Sequence, residues 1–146
     1  MGLSRRADYG VRAMVEIASL PPNSKAVIPE IAERQEIPRV FLAKIIPKLA
    51  KAGLLRTYRG VSGGITLGQP AHEINLRQII EAVEGPMALN CCSIRPENCP
   101  RYALCPVHEV WCKAQEDLNR RLESTLLSDL VRRQQKLREV EIPVAD

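Results

Sequence analysis

Residues 28–67 read IPEIAERQEIPRVFLAKIIPKLAKAGLLRTYRGVSGGITL. Apolar periodicity predicts a helix from Ile28 to Gln35, a break at Glu36-Ile37-Pro38, and a second helix from Arg39 to Ala52 closed by Gly53. Ile31, Ala32, Ile37, Val40, Leu42, Ile45, Ile46 and Leu49 supply the packing faces. Arg39, Lys44, Lys48 and Lys51 are left on more exposed positions, the first three as candidate DNA contacts. That is a helix-turn-helix pattern, and its second helix would enter a DNA major groove by its amino-terminal part, Pro38 to Lys44. Arg39 and Lys44 are candidate base readers; phosphate contact or a solvated face is the plainer role for either. Pro47 departs from the pattern, because proline inside a helix removes a hydrogen bond and is expected to kink the element. From Leu54 to Leu67, two short alternating segments flank a glycine-rich turn, which predicts a β-hairpin. Behind a helix-turn-helix the hairpin reads as a wing, with Arg56 and Arg59 placed for the DNA backbone or minor groove. A nucleotide-binding loop over Arg59–Gly64 is disfavoured, since no Lys-Ser/Thr follows Gly64.

Charge agrees with a polyanionic partner. Residues 1–68 carry 11 Lys and Arg against 5 Asp and Glu (+6), whereas residues 69–146 carry 10 against 12 (−2). The basic half is the half that holds the helix-turn-helix. Only five aromatic residues are present, Tyr9, Phe41, Tyr58, Tyr102 and Trp111. The core is therefore aliphatic, and its helical spacing predicts a mainly α protein with one small hairpin. No apolar run reaches the roughly eighteen residues of a membrane span, and no apolar leader opens the chain. A cytoplasmic protein is expected.

Upstream, Ser4 is placed to cap a first helix reaching about Leu20, with Ala7, Val11, Met14, Val15 and Ala18 as its stripe and Pro21-Pro22 ending it. Asp8 is four residues before Arg12 and reads as its ion-pair partner. Arg5 and Arg6 oppose the helix dipole at the amino terminus, and phosphate contact explains them better. Downstream, Asn75 caps a short helix from Leu76 to Val83 that Glu84-Gly85-Pro86 ends.

Four of the five cysteines then crowd into one loop, Cys91, Cys92, Cys99 and Cys105, with His108 just after it. From Cys92 there are six residues to Cys99, five more to Cys105 and two to His108. The last pair is one helical turn apart and can face one centre. Thiolates beside an imidazole suit an iron–sulfur cluster, a zinc ion or metal-free redox thiols. The wide gaps favour a cluster over a zinc knuckle, and an odd cysteine count disfavours a disulfide framework. Cys112 is an extra thiol, with packing as its plain role. From Pro106 a long helix carries Val107, Trp111, Ala114, Leu118, Leu122 and Leu126 along one stripe, which asks for a second copy of the chain as partner. Thr125 to Val131 reads as a separate last segment, followed by a frayed charged tail.

These motifs, in this order, resemble the Rrf-type family of bacterial winged-helix regulators, in its IscR-, NsrR- and RirA-like iron–sulfur members. The resemblance spans nearly the whole chain. It rests on Asp8-Tyr9-Gly10-Val11-Arg12, on Ile31-Ala32-Glu33, on Gly53-Leu54-Leu55 leading to Arg59-Gly60 and Gly63-Gly64, on the cysteine loop, and on Leu126-Leu127-Ser128-Asp129-Leu130. It implies a homodimeric DNA-binding transcriptional regulator, a repressor, in which Cys92, Cys99 and Cys105 hold an iron–sulfur cluster that senses iron, redox state or nitric oxide. Cys91 is the alternative to Cys92. His108 matches a histidine ligand of some members and Asp8 a carboxylate that others reach from the partner subunit. The histidine favours a [2Fe-2S] cluster over a [4Fe-4S] one. The expected organisation is a winged helix-turn-helix domain over residues 1–84, a cluster-binding loop over 85–105, and a dimerisation helix with its tail over 106–146. An enzyme with a cysteine nucleophile and His72 or His108 as base is disfavoured, since the basic helix-turn-helix would have no role in it.

Overall fold

The computed structural model describes residues 2–141. Among them are six α-helices and one hairpin: α1 Arg5–Ala18, α2 Ile28–Gln35, α3 Arg39–Lys51, β1 Leu55–Tyr58, β2 Gly64–Leu67, α4 Leu76–Glu84, α5 His108–Glu123 and α6 Leu127–Glu141. The first helix is capped by the Ser4 hydroxyl, which accepts from the Ala7 amide at 3.2 Å. Its inner face, Ala7, Gly10, Ala13, Met14 and Ile17, repeats every three or four residues and is buried. Gly10 lets α4 come close: a Cβ there would stand 2.9 Å from Cγ2 of Val83. On the side toward α3, Tyr9 meets Phe41 edge to face at 5.2 Å.

The two helices of the reading motif are joined through Glu36, whose φ of 52° is left-handed, and Ile37, which is buried. α3 runs through Pro47 as one helix. Pro47 and Ala43, the residue whose carbonyl loses a partner, both lie on the exposed side, where water can satisfy that carbonyl. Leu42, Ile45, Ile46 and Leu49 form its buried face. Gly53, at φ 79°, ends α3, and the strands pair antiparallel from Leu55↔Leu67 to Tyr58↔Gly64. Ala26 extends this small sheet by exchanging two backbone bonds with Ile65, at 2.8 and 2.7 Å. That extension has no pattern in the sequence, because it is a single pair. α4 opens with a reciprocal cap, in which Asn75 and Gln78 each accept the other's backbone amide at 2.9 and 2.8 Å.

The carboxy-terminal half departs from the expected continuous stripe. Helix α5 begins at His108, two residues after Pro106, and stops at Glu123, so Leu126 lies beyond it. Ser124 and Thr125 turn their hydroxyls onto the Arg121 carbonyl at 3.0 and 2.9 Å, which offers the chain an exit. The junction is stitched to the winged unit, with Leu76 N donating to Thr125 O at 2.9 Å and Leu127 N to Ile74 O at 2.8 Å. Leu127 is fully buried in the main core. Instead of fraying after Val131, α6 continues to Glu141 and packs on α1. The tail beyond Glu141 lies outside the described residues. The stripe of α5 also divides. Leu118 and Leu122 turn toward Ile80 of α4 across a cavity of about 430 Å³, while Val107 just before the helix and Val110 and Trp111 on it are exposed.

Candidate nucleic-acid interface and cysteine loop

Arg5 and Arg6 are exposed in the first turn of α1, Arg39 and Lys44 in the first half of α3, and Arg56 and Arg59 on the hairpin. Among the described residues no carboxylate forms an ion pair with any of the six. Their charge is thus available to a polyanion. Lys48 is different: its ammonium donates to the Val83 carbonyl at 3.3 Å, near the end of α4, where a cation is favoured by the helix dipole. The reading helix also exposes Val40, an apolar side chain suited to a thymine methyl.

Two features of the wing escaped sequence reasoning. Lys25 Nζ donates to the Ser62 carbonyl at 2.8 Å and sits 4.5 Å from the Tyr58 ring centroid, tying the wing turn to the chain before α2. Gly64 is required by the same approach, since a Cβ there would lie 2.7 Å from Lys25 Cβ and 2.9 Å from the Ala26 carbonyl oxygen. A lone lysine three residues before a helix carries no signal. The paired glycines did mark the spot.

The cysteine loop is built from three single 3-10 turns, Cys91–Ser93, Pro96–Asn98 and Tyr102–Leu104. All five cysteines are free thiols; Cys92 is buried and Cys91 exposed. Burial first, then the neighbouring thiols Cys91, Cys99 and Cys112, push the Cys92 thiol up from its ordinary value. His108, first residue of α5, lies against Cys112, with Nε2 3.6 Å from Sγ, and stands edge-on to Tyr102 at 5.7 Å. Asp8 is exposed and pairs with Arg12 at 3.4 Å. Among the described residues no three Cys, His, Asp or Glu side chains stand close enough to hold one metal ion. The loop therefore brings Cys92 toward Cys91, Cys99 and Cys112, and His108 to Cys112, but does not bring Cys92, Cys99, Cys105 and His108 to one centre.

A buried glutamine fastens this loop. Gln115 of α5 accepts with Oε1 from Leu89 N at 2.7 Å and from Ser93 Oγ at 3.3 Å, and donates with Nε2 to Asn119 Oδ1 at 3.0 Å. Its trace in the sequence is the series Trp111, Gln115, Leu118, Leu122, a polar residue at helical spacing within the apolar stripe.

The sequence profile of the Rrf2 family, described as iron-dependent transcriptional regulators, matches residues 3–133. Among solved structures the chain is similar to CymR, the global cysteine regulator of B. subtilis, at 26% identity over 90% of this chain and 96% of that one, with a TM-score of 0.74. It is similar to T. potens IscR at 26% identity over 99% of this chain and 94% of that one, with a TM-score of 0.75. The oxidised form of Staphylococcus aureus CymR gives 27% identity, 90% and 96% coverage and a TM-score of 0.70. With the profile spanning almost the whole chain and a winged helix-turn-helix presenting unpaired cations, the protein belongs to the Rrf2 family of DNA-binding transcriptional regulators and is not an enzyme.

Proposed function

We propose that the protein is a homodimeric repressor whose affinity for a double-stranded operator is set by an iron–sulfur cluster on Cys92, Cys99 and Cys105, with His108 as fourth ligand. The observation that carries this reading is that Cys92 is buried in a loop packed on α5, with the thiols of Cys91, Cys99 and Cys112 near enough to disfavour its thiolate. The donor set fits the group by its chemistry: thiolates are the ordinary ligands of such clusters and histidine a known substitute. The loop's single turns are held by short local hydrogen bonds, which lets the segment close on a centre without unravelling a helix. When bound, the cluster supplies a redox- and iron-responsive link between distant points of the loop. A [2Fe-2S] cluster goes with the histidine; Asp8 reaching from a second subunit is the alternative, and goes with [4Fe-4S].

In this reading residues 1–84 bind DNA through Arg5, Arg6, Arg39, Lys44, Arg56 and Arg59, residues 85–105 hold the cluster and residues 106–146 carry the dimer contact. The dimer contact is Val110 and Trp111 with the neighbouring Leu104 and Val107, an apolar surface exposed at the start of α5. Regulation requires that holo and apo forms differ in affinity for one operator.

A second reading has its own observation. The Cys112–His108 contact at 3.6 Å and the likeness to cysteine regulators suit metal-free thiol sensing, and zinc would stabilise the same loop. Absorption spectra with iron, sulfide and zinc analysis on protein purified without oxygen separate these. A coloured protein with similar amounts of iron and sulfide, bleached in the Cys92→Ala/Cys99→Ala/Cys105→Ala variant, supports the cluster. A colourless protein, even after reconstitution, sinks it and leaves the thiol or zinc reading.

A further inference from the structure

Glu16 is a buried carboxylate in a protein whose other carboxylates mostly face water; its side chain is 4% exposed. It is met from two directions. From α2, Arg34 Nη1 donates to Oε1 at 3.1 Å and Gln35 Nε2 to Oε2 at 2.8 Å. These are the last two residues of α2, immediately before the left-handed Glu36 that opens the turn into the reading helix. From α6, Arg138 Nη2 stands 3.7 Å from Oε2. One helical turn earlier on α6, Gln134 donates to Ser19 Oγ at 3.2 Å, just past the end of α1.

We propose that Glu16 is a positioning residue for DNA reading and that Arg138 acts through it, so that the carboxy-terminal helix holds the turn of the helix-turn-helix. A carboxylate can receive all three groups, because each oxygen offers more than one acceptor site. An amide cannot, since half of it donates. The clasp also turns the Arg34 guanidinium toward α1, away from the polyanion-binding role its charge would otherwise suit. Removing Arg138 leaves the short bonds to α2 in place but frees the end of α6 from the node. The reading helix then keeps its surface and loses part of its fixed orientation. This proposal rests on DNA binding by the winged unit and holds whichever group occupies the cysteine loop.

The test uses the full-length protein and two fluorescent duplexes, one selected by the wild-type chain from a randomised pool and one of mixed sequence. Arg138→Ala is expected to weaken the selected duplex about fivefold to tenfold, leaving the mixed duplex and the salt dependence unchanged. Arg138→Lys should recover most of the loss. In a Glu16→Gln background, Arg138→Ala should add nothing. Equal losses on both duplexes with a salt slope lowered by about one would make Arg138 a direct phosphate contact and overturn the proposal. A lowered melting temperature with unchanged affinities would overturn it too, by reducing the clasp to a structural role. If Glu16→Gln does not fold, the comparison of Arg138→Ala with Arg138→Lys on the two duplexes decides alone.

Discussion

Replacing Gln115 by methionine keeps the length and most of the volume of the side chain while removing every hydrogen bond it makes. Two acceptor contacts disappear, those to Leu89 N at 2.7 Å and to Ser93 Oγ at 3.3 Å. The serine still donates to the Asn90 carbonyl at 2.6 Å, so its loss is small. The Leu89 amide, half-buried against α5, has no such alternative. Leaving it unpaired costs about 2 kcal/mol. This cost falls on the docking of the loop, not on the winged core, because none of the affected groups touches that core. An equilibrium for local opening should therefore shift about 30-fold toward the open state. Cys92 should report it, since it is buried in the docked loop. In apoprotein under mild reductant, the alkylation rate of Cys92 by iodoacetamide, followed by peptide mass spectrometry, should rise by about that factor in Gln115→Met. The rate at exposed Cys91 should hardly move. Equal Cys92 rates in wild type and Gln115→Met would show that something other than Gln115 docks the loop.

Lys44→Ala and Arg59→Ala should each lower the slope of log affinity against log salt by about 0.9, whereas Lys48→Ala, whose ammonium is held on the Val83 carbonyl, should leave it unchanged; an equal drop for Lys48→Ala would mean that this contact gives way on DNA. Gly64→Ala forces a Cβ to 2.9 Å from the Ala26 carbonyl oxygen and should cost about 1–3 kcal/mol in a urea titration, so an unchanged midpoint would refute the close packing of the wing on residue 26. Leu127→Ala empties a fully buried site at the start of α6 and should cost about 2–5 kcal/mol, and a loss below half a kilocalorie would show that α6 is not part of the main core.

Much of the winged unit was legible because its information is local. The spacing of Leu42, Ile45, Ile46 and Leu49, the stop at Gly53 and the glycine turn of the hairpin each determine backbone geometry within a few residues. Ser4 and Asn75 were readable as caps for the same reason. The second half was read less well. A run from Val107 to Leu126 looks like one stripe, yet Ser124 and Thr125 end the helix through bonds to Arg121, and Leu127 belongs to the core of the other half. Neither effect leaves a period in the sequence. Gln115, Lys25 and Glu16 were missed because each acts on a segment far away in the chain. Glu16 had one visible sign, a charge inside the apolar run Met14-Val15-Glu16-Ile17.

These missed residues are the ones that join the parts. Gln115 fastens the cysteine loop to the middle of α5. At the other end of the same helix, Glu123 pairs with Arg77 of α4, which Glu81 also holds at 2.8 Å; these two carboxylates, Glu81 first, push the guanidinium's pKa up. The Thr125–Leu76 and Ile74–Leu127 bonds follow at once and pass the chain to α6, whose far end reaches Glu16 and the turn of the reading motif. Allosteric coupling energies of about 1–3 kcal/mol correspond to affinity changes of 5- to 150-fold. Releasing the loop from Gln115 is of the same size, about 2 kcal/mol. In the proposed reading, a chemical event at the loop would need no large rearrangement to matter at the DNA. It would have only to be incompatible with the docked position of Leu89 and Ser93, because Gln115 ties the loop to the middle of α5, Glu123 ties the end of α5 to α4, and α6 is tied to the reading head.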